Sequence, residues 1–132
     1  MKRPYFLNVD LEIESKSSLR SLALEFGDRV SVRYFGSIKG RNCLYVEIAG
    51  ISRSQDEIVK ALCDLVEGLS EKNRRVWDQA QRKEFDFGYE VRLSSELANR
   101  FKILPSTLRR VAKLGASVAV TIYRDDTNEM TF

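Results

Sequence analysis

The sequence predicts an α+β fold: a two-layer sandwich in which helices pack chiefly on one face of a mostly antiparallel sheet of about five strands. Three observations predict it. Several segments alternate apolar and polar residues as strands do, and amphipathic segments lie between them. Their order is strand, helix, strand, strand, helix, strand, helix, strand, and the two adjacent strands predict an antiparallel hairpin. The length of 132 residues is typical of one domain, so residues 1–132 are assigned to a single α+β domain.

The first half of the chain supplies a strand, a short helix and the hairpin. Alternation over 5–13 predicts a half-buried strand, with Asp10 and Glu12 on its polar face. An apolar stripe over 19–26 predicts a short helix. Two alternating runs on either side of a Gly-containing turn then predict a hairpin over 30–48.

The middle of the chain begins with a capped helix. Ser54 and Glu57 have the spacing of a capping box, and the apolar stripe that follows reaches Leu69. The segment 71–84 is polar, which leaves two alternatives: a helix that continues past the sheet or a loose connector. The run 85–93 alternates strictly and predicts a strand with one buried face and one solvated face.

The last third contains two helix signals and a strand. A short helix is predicted over 94–101, and a second helix begins near Pro105 and ends at Gly115. The run 116–123 is rich in β-forming residues and apolar on both faces, which predicts a central strand with neighbours on both edges. The segment 125–132 is predicted to be a frayed polar tail.

The composition excludes several function classes. Histidine is absent, which removes the commonest general base and the commonest metal ligand. Cys43 and Cys63 lack the spacing of a zinc or redox motif, so we expect reduced core residues. No phosphate-binding glycine motif, signal peptide or membrane span is recognisable, so we expect a cytoplasmic protein. We therefore predict no catalytic residues, no metal and no cofactor.

A protein-binding function is the leading hypothesis, because aromatic and arginine side chains dominate the binding energy at interfaces. Seven residues are predicted to contact a protein partner: Tyr34, Lys39, Arg41, Tyr45, Arg74, Arg75 and Trp77. The alternatives are a solvated hairpin turn and a Trp77 that anchors its own segment to the core. The net charge of +3 favours a partner that is acidic or neutral at the contact.

Two further functions stay open as alternatives. The first is nucleic-acid binding by the segment 72–83, where five cations surround an aromatic residue: Lys72, Arg74, Arg75, Arg82 and Lys83. Acidic residues interrupt this segment, which argues against a nucleic-acid partner. The second is a small-ligand binder or enzyme that uses carboxylates on two polar strand faces: Asp10, Glu12, Asp86 and Glu90. It requires a concave pocket, whereas the simpler interpretation is a solvated face neutralised by Arg33 and Arg92.

The last third also resembles a known family. The strand-to-helix segment FDFGYEVRLSSELA, the helix LPSTLRRVAKLGA and the strand SVAVTIY are similar to the C-terminal half of DUF4279-like small bacterial domains. The likeness covers 64–123 and includes Leu114, Gly115 and Tyr123. It carries no catalytic residue. Some members look like immunity proteins, so the resemblance implies a cytosolic inhibitor that occludes a bacterial toxin. A homodimer that pairs through an exposed sheet edge, with no ligand, also stays open as an alternative, so we expect a monomer or a homodimer.

Overall fold

A computed structural model describes residues 2–50, 54–93 and 100–124, with side chains described outside 2–7 and 91–93. It contains a five-stranded sheet and four α-helices, which confirms the α+β class. The strands are β1 (Lys2–Ser15), β2 (Val30–Ile38), β3 (Arg41–Ile48), β4 (Arg82–Leu93) and β5 (Ser117–Arg124). The helices are α1 (Arg20–Phe26), α2 (Gln55–Glu67), α3 (Glu71–Gln79) and α4 (Pro105–Lys113), with a 3₁₀ turn at Gly27–Arg29.

The sheet has the strand order β2-β3-β1-β4-β5. The first three pairs are antiparallel, as predicted, and β4 pairs with β5 in parallel because α4 carries the chain back between them. The first strand of the chain therefore lies at the centre of the sheet, between β3 and β4. This placement brings the polar faces of three long strands side by side.

The opposite face of the sheet carries the core. Val9, Leu11 and Ile13 of β1 are fully buried, as alternation predicted. They share one hydrophobic cluster with the apolar faces of β3 and β4 and with the helices, so the helix layer lies on one side of the sheet. The face that contains Asp10 and Glu12 is left without a helix over it in the described part of the chain.

Side chains bind the free N–H groups at the helix N-termini, and two of these contacts also join one helix to another. Ser54 and Glu57 form the predicted capping box of α2. The Glu25 carboxylate of α1 accepts hydrogen bonds from the Ser70 N–H (2.7 Å) and hydroxyl (2.8 Å) at the start of α3. The Asp56 carboxylate of α2 accepts the Leu104 N–H at 2.9 Å, just before α4. These carboxylates satisfy helix-end donors that have no partner within their own helices.

The polar segment 71–84 proves to be a separate helix followed by the start of a strand. Ser70 caps α3, and its hydroxyl accepts the Asn73 N–H at 3.3 Å. Trp77 is fully buried, and its indole N–H donates to the Leu114 carbonyl at 2.9 Å. The connector alternative is therefore wrong, because one large buried side chain secures a helix whose surface is otherwise polar.

One prediction about the sheet is wrong. The run 116–123 predicts a central strand, but among the described strands β5 lies at an edge of the sheet, next to β4. No described helix covers it fully, and the apolar residues Val118, Val120 and Ile122 are 48%, 60% and 56% exposed. Apolar residues on both faces do not by themselves place a strand at the centre of a sheet.

The predicted short helix over 94–101 and the predicted polar tail lie wholly or mostly outside the described residues. Residues 94–99 and the predicted tail 125–132 lie outside the described residues, and 100–104 contain no helix. The helix end at Gly115 is confirmed, since its φ of 75° is the left-handed conformation that suits glycine. Within the described residues, the structure contains no helix with the length and apolar character needed to span a membrane.

Candidate functional site on the acidic face of the sheet

The polar faces of β1, β3 and β4 form one continuous surface, which we call the acidic face. Its described carboxylates are Asp10, Glu12, Glu14, Glu47, Glu84, Asp86 and Glu90. In the ladder, Asp10 lies directly opposite Glu47 on one side and Asp86 on the other. The condition that the acidic strands be neighbours is therefore met, and carboxylates on three adjacent strands share one face.

The acidic face contains an open depression of about 620 Å³. It is lined by Asn8, Asp10, Arg33, Glu47, Asp86, Gly88, Glu90 and Tyr123. Gly88 contributes to its shape because it occupies a polar-face position of β4 and has no side chain to fill the space. The small-ligand alternative required a concave surface beside these acids, and the geometry provides one.

Hydrogen bonds position several carboxylates around the depression. The Thr121 hydroxyl of β5 contacts both Asp86 oxygens, at 2.7 and 2.9 Å. The Asn8 amide donates to Glu47 at 2.6 Å, and the Arg33 guanidinium lies 3.7 Å from the same carboxylate. Within the described part of the chain, no side chain donates a hydrogen bond to Asp10. Asp10 therefore keeps acceptor capacity for a cationic group from outside the chain.

The environment of Asp10 favours its protonated form. Burial raises the pKa of this carboxyl to about 6, the nearby Glu47 carboxylate adds to the effect, and Arg33 opposes it. A carboxyl that titrates near pH 6 binds cations more weakly below that pH. The depression thus has a pH-dependent charge close to neutrality.

Asp10→Asn is expected to stabilise the protein at pH 7. The folded state binds a proton at Asp10 more tightly than the unfolded state does. The contribution of Asp10 to the free energy of unfolding therefore falls as the pH rises from about 4 to about 6. Asparagine removes this loss and should add roughly 1 kcal/mol at pH 7 but little at pH 4. Urea unfolding at both pH values measures the difference. Asp28→Asn, at an exposed position, is the matched control, and equal gains at both pH values would contradict the assignment.

Beside the depression, Arg82 joins three carboxylates. Its guanidinium lies 2.8 Å from each of Glu12, Glu14 and Glu84. Burial opposes the charge of Arg82, but hydrogen bonds to Glu14 and Glu12 outweigh it and the pKa of Arg82 is raised. The hydrogen bond from Arg82 in turn lowers the pKa of Glu14. Charge-assisted hydrogen bonds make this cluster a fixed part of the acidic face.

The hairpin residues among the predicted partner contacts lie at one end of the acidic face. The rings of Tyr34 and Tyr45 have centroids 5.8 Å apart, and the Tyr45 hydroxyl donates to Glu14 at 2.8 Å. The Arg41 guanidinium lies 4.0 Å from the Glu14 carboxylate, and Lys39 is at the turn with a φ of 51°. Tyr34, Arg41 and Tyr45 are therefore brought together beside Glu14, whereas Lys39 lies at the tip of the hairpin.

The other three predicted contacts belong to the helix layer. Arg74 pairs with Asp78 at 3.3 Å, and Arg75 pairs with Glu71 at 3.0 Å, both within α3. Trp77 is fully buried, so it serves as a core anchor and is removed from the partner-binding set. The expected binding surface thus divides between two sides of the molecule.

The basic segment 72–83 does not form one surface either. Arg82 lies on the acidic face within its carboxylate cluster, whereas Lys83 lies on the opposite face of β4, with its ammonium 5.7 Å from the Trp77 ring centroid. The cations of α3 are partly paired with carboxylates. The geometry gives no continuous cationic surface for a phosphate backbone to follow.

Sequence reasoning missed the full extent of the acidic face. Glu14 lies one residue beyond the predicted strand 5–13, and Glu84 lies one residue before the predicted strand 85–93, each on the polar side of the same alternation. Glu47 lies on the polar side of the predicted hairpin. Arg82 was assigned to a basic segment because β4 was expected to begin at Phe85 rather than at Arg82. Extending the alternation by one residue in β1 and by two polar positions in β4 predicts Glu14, Glu84 and Arg82, whereas the place of Glu47 beside Asp10 depends on the pairing of β1 with β3.

The chain matches no protein-family model, no curated protein and no solved structure in the three comparisons made. The resemblance to DUF4279-like domains therefore stays a prediction. Among the described residues, no group of three or more acidic or cysteine side chains is arranged to hold a metal ion. The thiols of Cys43 and Cys63 are free and buried.

Proposed function

We propose that this is a binding protein whose acidic face docks a basic surface of a protein partner. The observation that carries the proposal is that seven carboxylates lie on one face of three adjacent strands. Among the described side chains, three arginines contact these carboxylates: Arg33, Arg41 and Arg82. Such a face attracts cationic surfaces over several ångströms and raises the rate of association.

The local charge changes the kind of partner that we expect. A net charge of +3 pointed to an acidic or neutral contact. The cations, however, lie largely outside the acidic face, and a partner interacts with the face that it touches rather than with the net charge. If the chain is an immunity-type inhibitor, as its resemblance implies, the toxin surface that it occludes is expected to be basic.

Aromatic contacts would complement the charges. Tyr34 is partly exposed and stacks obliquely against Tyr45 at the hairpin end of the acidic face. Tyrosine combines a large apolar ring with a polar hydroxyl and is enriched at interface hot spots. The Tyr34–Tyr45 pair would therefore supply apolar contact area, while the carboxylates select for cationic groups.

The proposal predicts that neutralising the acidic face abolishes partner capture. A face variant, Asp10→Asn with Glu47→Gln and Glu90→Gln, keeps the side-chain shapes but removes three charges. A matched helix-layer variant, Glu57→Gln with Glu71→Gln and Asp78→Asn, removes the same charge elsewhere. Tagged proteins would be incubated with nuclease-treated cell lysate, and captured proteins identified by mass spectrometry. A partner held by wild type should be retained by the helix-layer variant and lost by the face variant.

The affinity for that partner should fall about a hundredfold in the face variant, as expected for loss of several close charge pairs. Calorimetric titration with the purified partner measures this change, and higher salt should weaken wild type more than the face variant. Equal affinities in both variants would contradict the proposal. Partners that disappear with nuclease treatment would favour the nucleic-acid alternative.

A small cationic ligand is the second candidate, favoured by the depression around Asp10. Its volume suits a small molecule, and the nearby carboxylates match one or more ammonium groups. Titration of the protein with spermidine tests this candidate directly. Saturable binding that Asp10→Asn weakens would support it, whereas heat changes that are identical in wild type and the face variant would not.

A further inference from the structure

The outer edge of β5 is open in the described part of the chain. β5 pairs with β4 through the register Glu84–Ser117 to Val91–Arg124, and no other described strand lies beside it. An open edge offers a row of backbone donors and acceptors to another strand. The residues of β5 from Ser117 to Tyr123 carry no charge, no proline and no bulge, which are the usual protections against pairing.

The other sheet edge is better protected. β2 contains an irregularity in its pairing between Val32 and Tyr34, which places Arg33 as an extra residue in the strand. A bulge bends and twists an edge strand away from a flat partner. The two edges therefore differ, although Val32 is 51% exposed and thus comparable with the apolar residues of β5.

The apolar side chains on one face of β5 are only partly covered in a single copy of the chain. Val118, Val120 and Ile122 follow one another on the helix-side face and are about half exposed. A groove of about 180 Å³ begins beside them, where Val118 and Val120 meet Phe87 of β4 and Ile103. Among the described strands of one copy, β5 has β4 as its one neighbour, so these apolar side chains are covered on one side only.

We propose that a second copy of this chain pairs with β5, antiparallel, around a twofold axis at Val120. In this register Val120 lies opposite its own symmetry mate, and Val118 lies opposite Ile122 of the second copy. All three apolar residues then face their counterparts on the helix side. The result is a continuous ten-stranded sheet, with both helix layers on one side and both acidic faces on the other.

The area available suits a weak dimer. Four apolar side chains of β5 are 48–60% exposed: Val118, Val120, Ile122 and Tyr123. Three of them are aliphatic and smaller than the aromatic side chains that fill large interfaces. Together with the backbone edge they give an interface below about 1,200 Å² in total, at the low end of specific interfaces, so we expect the dimer at high protein concentration.

A lysine at the twofold axis tests the register. Val120→Lys places two ammonium groups opposite each other in the dimer but leaves the monomer with an exposed side chain. Sedimentation velocity should give twice the 15.2 kDa chain mass for wild type and one chain mass for the variant. Val32→Lys, at a similarly exposed position on the opposite edge, is the matched control and should remain dimeric. Circular dichroism verifies that both variants are folded.

A cysteine at the same position gives an independent readout. Val120→Cys brings two thiols within disulfide distance across the axis, whereas Val118→Cys faces Ile122 of the second copy instead. The native thiols are buried and should not interfere. Mild oxidation should cross-link the first variant rapidly and the second at least about tenfold more slowly. Equal cross-linking of the two variants would overturn the register.

The dimer itself is overturned if wild type sediments as one chain at about 100 µM, whatever else covers the edge. Monomeric wild type with β5 amides that are strongly protected from hydrogen exchange would indicate that residues 125–132 occupy the edge. A wild-type dimer that Val120→Lys leaves intact would place the interface elsewhere.

Discussion

Trp77→Ala is expected to lower the free energy of unfolding by about 3–5 kcal/mol, the typical cost of removing a large aromatic side chain from a core. Trp77 is fully buried between α3 and the rest of the core, and its indole N–H holds the Leu114 carbonyl at the end of α4. The helix α3 has few other apolar contacts, because Trp77 and Asn73 are its buried residues. Loss of the indole would therefore release the whole helix.

Urea unfolding followed by far-ultraviolet circular dichroism measures this change. Trp77→Phe keeps most of the apolar volume but removes the N–H donor, so a smaller loss of about 1–2 kcal/mol is expected. Leu24→Ala is the control, because Leu24 is 71% exposed and should change stability by less than about 0.5 kcal/mol. If Trp77→Ala and Leu24→Ala were equally stable, α3 would not depend on its tryptophan.

Arg82→Met should cost about 2 kcal/mol at pH 7. The guanidinium holds Glu12, Glu14 and Glu84 on two neighbouring strands, and its removal leaves three carboxylates close together without their shared cation. Methionine keeps much of the aliphatic length, so the loss is chiefly electrostatic. The figure is moderate because the Arg82 side chain is 30% exposed and water screens part of the repulsion.

The cost of Arg82→Met should depend on pH. In wild type the folded-state pKa of Glu14 is lowered, so its ionisation contributes stability above the unfolded pKa and loses that contribution as the pH falls through the folded value. The variant lacks this contribution. Its deficit should therefore be largest at pH 7 and smaller at about pH 3, toward the lowered pKa of Glu14. Urea unfolding of wild type and variant at both pH values measures it.

Arg75→Met is the matched control for Arg82→Met. Arg75 contacts Glu71 at 3.0 Å, but both side chains are largely exposed on one helix face. Such pairs contribute about 0.5 kcal/mol or less and should show little dependence on pH. A deficit of Arg82→Met that is as small as that of Arg75→Met would mean that solvent already screens the carboxylate cluster.

Local sequence patterns predicted the helices and strands of this fold, but not which strands lie beside one another in the sheet. Alternation in β1 and the capping box at Ser54 and Glu57 depend on adjacent residues, so a single sequence reveals them. The position of β5 depends on which strand it pairs with, and an apolar run at an edge has the same residues as one at the centre. The sequence pattern therefore identified a strand but misplaced it.

The candidate site likewise combines features that local spacing predicts with features that depend on strand pairing. The carboxylates of Asp10 and Asp86 could be assigned to polar strand faces from their spacing, but their direct juxtaposition follows from the pairing of β1 with β4. Trp77 carries a comparable ambiguity, since an aromatic residue in a polar helix suits both a surface anchor and a core anchor. Burial decides between these roles, and burial is a property of the whole packed chain.

The central position of β1 affects how the chain folds during synthesis. Of the five strands, β1 is synthesised before the others, yet one of its two neighbours is β4. Glu12, for example, cannot pair with Glu84 until β4 has been synthesised. Until the segment Arg82–Leu93 has been made, one long side of β1 stays open, with Val9, Leu11 and Ile13 incompletely covered. Nascent chains paused in this interval should be the species most prone to aggregate and to need chaperones. The hairpin of β2 and β3 forms early because its contacts are local, and it provides the first surface onto which β1 docks.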